Sequence, residues 1–132
     1  MIGVDTNVLL RLYVADNPVQ HQAAVSFFQT RTDADPAYVR LIVLVEFVWS
    51  LRKTYGYSNE AIMTLVTLLL DARDMFLEHG DIVVDAVAEV ELRRVGLADA
   101  LIALANKADG CSATVTFDRS AARRIPSMEL LS

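Results

Sequence analysis

Apolar positions recur at helical spacing along most of this chain, separated by short apolar runs suited to strands. Ile2-Gly3-Val4 reads as a short strand and Thr6 to Tyr13 as a helix, which places Asp5 at the carboxyl end of the first strand. Asn17 caps a second helix, with Pro18 at its first position and Ala24, Val25, Phe27 and Phe28 along it. After a polar loop from Thr32 to Pro36, Ala37 to Arg40 is a short strand. The run Leu41 to Trp49 is apolar except for Glu46. Leu44, Val48, Leu51 and Tyr55 form one stripe, which favours a helix ended by Gly56. Ser58 caps a further helix, Met75 to Leu77 is a strand, and Asp81 to Arg94 is a helix stopped by Gly96. From Gly96 to Arg119 the pattern predicts a helix beginning at Asp99 and a turn at Asp109-Gly110. A buried strand through Val115 then delivers Asp118. Ser120 to Ile125 is a short polar helix and Met128 to Leu131 a last strand. Strands alternating with helices imply the α/β class, with a parallel sheet covered by helices.

The 132 residues are expected to form a single domain, 1–132. A hydrophobic fraction of 54 % promises a large core, yet no apolar run is long enough to span a bilayer. Asp5 follows the first residues too closely for a signal peptide. The lone cysteine, Cys111, is expected to be a small buried residue, and its solitude suggests a reducing cytoplasm. A net charge of −5 excludes a general nucleic-acid coat protein. It leaves room for a local acidic site with a local basic rim.

Asp5 and Asp118 sit at carboxyl ends of strands, where α/β folds bind ligands, and Asp99 opens a helix. Each also suits a helix cap, so none is decisive singly. Glu46 is the only charge among apolar neighbours and shares a helical face with Ile42 and Trp49. Such a residue either points out from the helix surface or faces a cation. Four converging carboxylates would repel one another and raise each other's pKa unless a cation joined them. Mg²⁺ or Mn²⁺ matches an all-oxygen set, whereas His21 and His79 lack the spacing of zinc ligands. The chain has no glycine-rich phosphate loop and no Ser-His-acid or Cys-His arrangement. Asp5-Thr6-Asn7 also lacks the second aspartate of a haloacid-type phosphotransfer enzyme. Metal-assisted hydrolysis of a phosphodiester remains.

Asp5-Thr6-Asn7-Val8-Leu9, Val45-Glu46-Phe47, Ala98-Asp99-Ala100-Leu101-Ile102-Ala103 and Thr116-Phe117-Asp118-Arg119 resemble the four signatures of PIN-domain nucleases. Across essentially its whole length the chain is most similar to the VapC-type ribonuclease toxins of bacterial toxin–antitoxin modules. The resemblance implies a three-layer α/β/α fold with a small, mostly parallel central sheet. It implies an endoribonuclease dependent on Mg²⁺ or Mn²⁺, with Asp5, Glu46, Asp99 and Asp118 as the catalytic, metal-holding quartet. Thr6, Asn7 and Thr116 fall at the supporting positions. The family further implies a homodimer and a cognate VapB-type antitoxin that blocks the acidic site. Arg11 and Arg119 are RNA-phosphate candidates, with Arg93, Arg94, Lys107, Arg123 and Arg124 as further members of a basic rim. Two alternatives stand beside this reading. One is a PIN-fold module that only binds RNA or a partner, which would gain nothing from four carboxylates. The other is a DNA-directed PIN-like nuclease, for whose longer insertions this short chain has no room.

Overall fold

Three short strands, β1 (Ile2–Gly3), β2 (Ala37–Val39) and β3 (Met75–Leu77), pair in parallel in the order β1-β2-β3. Ile2 lies opposite Ala37, and Ala37 opposite Met75. The computed structural model describes residues 1–132, and its contacts group into two units, Met1–Gly80 and Asp81–Ser132. No helix is long and apolar enough to cross a membrane.

In the first unit, α1 (Thr6–Tyr13) packs on α2 (Pro18–Gln29) and on α3 (Leu41–Lys53). α3 packs in turn on α4 (Asn59–Asp71), which contacts β3. The ambiguous run from Leu41 is helical, and its predicted stripe is the buried one: Leu44, Val48 and Leu51 all lie in the core, joined by Phe47. Burying each of these four side chains contributes about 2 kcal/mol. Asn17 Oδ1 accepts from the Gln20 N–H at 3.1 Å, and Ser58 Oγ from the Ala61 N–H at 3.1 Å, so both predicted caps form. The chain leaves α3 through Gly56, whose φ of +69° lies in the left-handed region.

The cap of α3 comes from elsewhere. Arg40 occupies its N-cap position without a capping side chain. Glu78, just after β3, accepts the Leu41 N–H at 2.9 Å, the Tyr38 hydroxyl at 3.1 Å and Arg40 Nη1 at 3.0 Å. These partners, led by the Leu41 N–H, hold the Glu78 carboxyl below the ordinary glutamate range.

The second unit contains α6 (Leu97–Ala108), α7 (Arg119–Arg124) and two parallel strands, β4 (Thr114–Thr116) and β5 (Met128–Leu130). Thr114 lies opposite Met128. α5 (Gly80–Arg93) starts at the boundary, one residue before the predicted Asp81. Four expectations change here. α5 is ended by Arg94, itself left-handed at φ +55°, whereas Gly96 is the N-cap of α6. α6 therefore begins at Leu97, two residues before Asp99, and Leu97 is buried there with Leu101. β4 is not buried, since Val115 is 60 % exposed: a two-stranded sheet covers little of either face. Cys111 is also exposed, because it follows the turn at Gly110 rather than lying in a packed element. The seven helices and parallel strand pairs make this an α/β fold.

Candidate active site

Asp5 stands two residues beyond β1, at the N-cap of α1, yet its carboxylate accepts no capping hydrogen bond. The aspartate therefore does not perform the structural task that its position suggests. The next residue, Thr6, is buried and donates its hydroxyl to Glu46 Oε1 at 3.2 Å, across forty residues of sequence. Glu46 itself is exposed on α3, on the face that also exposes Ile42 (66 %) and Trp49 (56 %). The sequence left open whether this residue points out or faces a cation. The structure turns it outward and ties it to the helix that begins beside Asp5. Asn7, exposed in the first turn of α1, completes this corner.

In the second unit, Asp118 follows β4 and caps α7. Its Oδ1 accepts the Ala121 N–H at 3.0 Å, and its own N–H donates to Thr116 Oγ1 at 3.0 Å. Asp118 thus does perform the bland role, with one oxygen only. Thr116 fixes the backbone that carries it. Asp99 sits in the first turn of α6, partly exposed, with Gly96 rather than itself as the cap. Each unit supplies two of the four acidic residues. No group of three or more His, Cys, Asp or Glu side chains is gathered where it could hold a metal ion.

The basic residues divide sharply. Arg11 is engaged through two of its nitrogens: Nε donates to Gln20 Oε1 at 3.0 Å, while Nη1 donates to the Tyr55 hydroxyl at 3.2 Å and lies 3.1 Å from Asp16. The Tyr55 bond and the Asp16 charge raise its already high pKa. Arg93 pairs with Glu89, and Arg124 donates to the Arg94 carbonyl at 3.0 Å. Arg119 and Arg123 are exposed, without an ion pair, four residues apart on α7 beside Leu130. His21 lies on α2 with Nδ1 2.7 Å from the Arg11 carbonyl. A carbonyl only accepts, so Nδ1 donates and the ring is held as a structural group.

Sequence reasoning missed the surroundings of Asp5. A cavity of about 610 Å³ opens between the end of β1, α1 and α2, lined by Asp5, Asn7, Arg11, Gln20, Ala23 and Phe27 among others. No local signal marks it, because Gln20 and Ala23 look like ordinary exposed positions of α2.

The model of the PIN domain matches residues 2–126. The chain belongs to the PIN-domain family. That span takes in all four acidic residues, the first unit except Met1, and the second unit up to Pro126. A search of curated proteins found no match. The PIN domain is a nuclease-type fold, a three-layer α/β/α arrangement, and its members are generally hydrolases that use divalent metals. The donors in this PIN domain suit such an ion. Asp5 offers two oxygens free of capping bonds, Asp118 retains one beyond its cap, and no sulfur or imidazole stands among the four signature positions.

Proposed function

We propose that this PIN domain is a metal-dependent endoribonuclease, the toxin of a toxin–antitoxin module of the VapC type, with Asp5, Glu46, Asp99 and Asp118 as its acidic quartet. The observation that carries the reading is Asp5: a carboxylate at the end of the first strand, in a helix-capping position, that caps nothing. A hard divalent ion, Mg²⁺ or Mn²⁺, would supply charge stabilisation at a phosphoryl group and an acidified water. The chain's own residues supply the rest. By the family's pattern, Asp5, Glu46, Asp99 and Asp118 would be the oxygen donors for that ion. Thr6 keeps Glu46 in one rotamer by its hydroxyl bond, and Thr116 holds the turn that presents Asp118. Arg119, unpaired and next to Asp118, is free to meet a substrate phosphate. Arg11, spent on Asp16, Gln20 and Tyr55, acts instead as a brace between α1, α2 and the end of α3.

The partners proposed are an RNA substrate, a second copy of the chain and a small VapB-type antitoxin, in the cytoplasm. Exposed Ile42 and Trp49 flanking Glu46 support a partner surface next to the acidic residue. An unpaired, exposed Cys111 suits a reducing compartment. The test is cleavage of RNA by purified protein in Mg²⁺ or Mn²⁺, abolished by EDTA and restored by added metal. Cleavage undiminished in chelator would overturn the metal mechanism. Cleavage of DNA alone would move the reading to the DNA-directed alternative. A neighbouring reading frame for a small DNA-binding protein would be the genetic counterpart.

A further inference from the structure

We infer that the cavity beside Asp5 is a nucleobase subsite, which holds one base of the RNA next to the scissile phosphate and gives cleavage a base preference. The inference deepens the proposed ribonuclease reading and rests on it for the phosphate's position at Asp5. Its size, about 610 Å³, is that of a small-ligand pocket. Its walls have the two characters that a base requires. Val4, Val8, Ala23, Ala24 and Phe27 give apolar surface for the faces of a planar ring. Asn7 and Gln20 give amide groups for its edge. The Gln20 carbonyl oxygen is taken by Arg11 Nε, so its amino group retains both donors. Asn7 keeps a donor and an acceptor, since its side chain makes no hydrogen bond within the protein.

Charge favours a base over a phosphate at this position. The one cation lining the cavity, Arg11, is paired with Asp16 at 3.1 Å, and the remaining charge in the wall is the negative Asp5. A phosphate drawn into the cavity would meet that carboxylate without a free counter-charge. A neutral heterocycle would meet only amides and hydrocarbon. Asp5 itself lies in the wall, so a phosphate held near its carboxylate places the adjoining nucleotide at the cavity mouth.

The experiment has two arms that fail separately. In the first, amide shifts of the protein in millimolar Mg²⁺, which offsets the charge of Asp5 on the phosphate, are followed while AMP, GMP, CMP and UMP are added to millimolar concentration. Shifts centred on Gln20, Ala23, Ala24 and Phe27 with one or two of the bases are expected. Ala23→Trp, at an exposed position of α2, should fill the cavity and abolish them, and Ala23→Leu should weaken them should the tryptophan variant misfold. In the second arm, cleavage of an RNA pool randomised around the cut should show a base preference on the order of tenfold at one flanking position. That preference should flatten in the Ala23 variants. Nucleotide shifts without any RNA cleavage would overturn the ribonuclease reading and leave the subsite standing. Cleavage with no shift at these residues from any nucleotide, or with an unaltered preference in Ala23→Trp, would overturn the subsite. So would occupation of the cavity by a protein partner's apolar side chain while all four nucleotides leave it untouched.

Discussion

The Thr6 hydroxyl donates to Glu46 Oε1 at 3.2 Å, joining the first turn of α1 to the middle of α3. Thr6 is the one polar residue buried in the protein, and its partner is an exposed carboxylate proposed to hold a metal. Thr6→Val keeps the shape and deletes the bond. The expected result is a small loss of stability, on the order of 1 kcal/mol, with a larger fall in RNA turnover as Glu46 samples other rotamers. Thr6→Ser should restore most of the turnover. A valine variant with wild-type kcat would show that the bond has no part in positioning Glu46.

Asp5 and Asp118 should be separable by stability although both variants lose activity. Asp118 caps α7 through Oδ1, so Asp118→Ala should cost about 1 kcal/mol in a denaturant melt. Asp5 caps nothing, so Asp5→Ala should melt within about 0.5 kcal/mol of wild type. Equal destabilisation by the two substitutions would mean that the Asp5 carboxylate has a structural task after all.

Asp99→Asn tests whether a first-turn residue of α6 belongs to a metal-holding set. Wild type should gain melting temperature in millimolar Mg²⁺ through mass action, and the asparagine variant should gain much less. Equal gains in the two proteins would place Asp99 outside the set.

Glu78 gives a stability effect with a defined pH sign. Its carboxyl is held below the ordinary glutamate value of 4.5, chiefly by the Leu41 N–H and then by Tyr38 and Arg40. A lowered folded-state pKa contributes stability that is present above the unfolded value and is lost as pH falls through the folded one. Glu78→Gln should therefore be less stable than wild type at neutral pH, with the gap closing on acidification below about 4.5. Chemical denaturation of both proteins across pH reads the difference. A gap that widens toward acid would overturn the assignment.

Arg119 and Arg123 are the cations with nothing to pair with on α7. Replacing either with Ala should raise KM for RNA more than it lowers kcat. Removing one arginine–phosphate pairing should reduce the slope of log affinity against log salt by about 0.7. An unchanged slope in the double variant would remove α7 from the RNA path.

Local sequence determined much of this protein. The stripe Leu44, Val48 and Leu51 set the helix over the apolar run, and Asn17, Ser58 and Asp118 cap helices at positions legible from three-residue spacing. The four acidic signatures identified the family without any structure, because each is a short motif bound to a strand end or helix turn. Such features depend on residues three or four apart, which the chain brings together by forming a helix at all. What only the tertiary structure decided lies between residues far apart. Glu46 meets Thr6 across forty positions, Tyr55 meets Arg11 across forty-four, and Glu78 caps α3 across thirty-seven. No periodicity encodes those pairs, since they depend on how whole helices cross. The same holds for the cavity beside Asp5, whose wall is shared by α1 and α2. The exposure of Val115 and Cys111 was hidden for a related reason: apolar character shows that a residue can be buried, and only its neighbours in space decide whether it is.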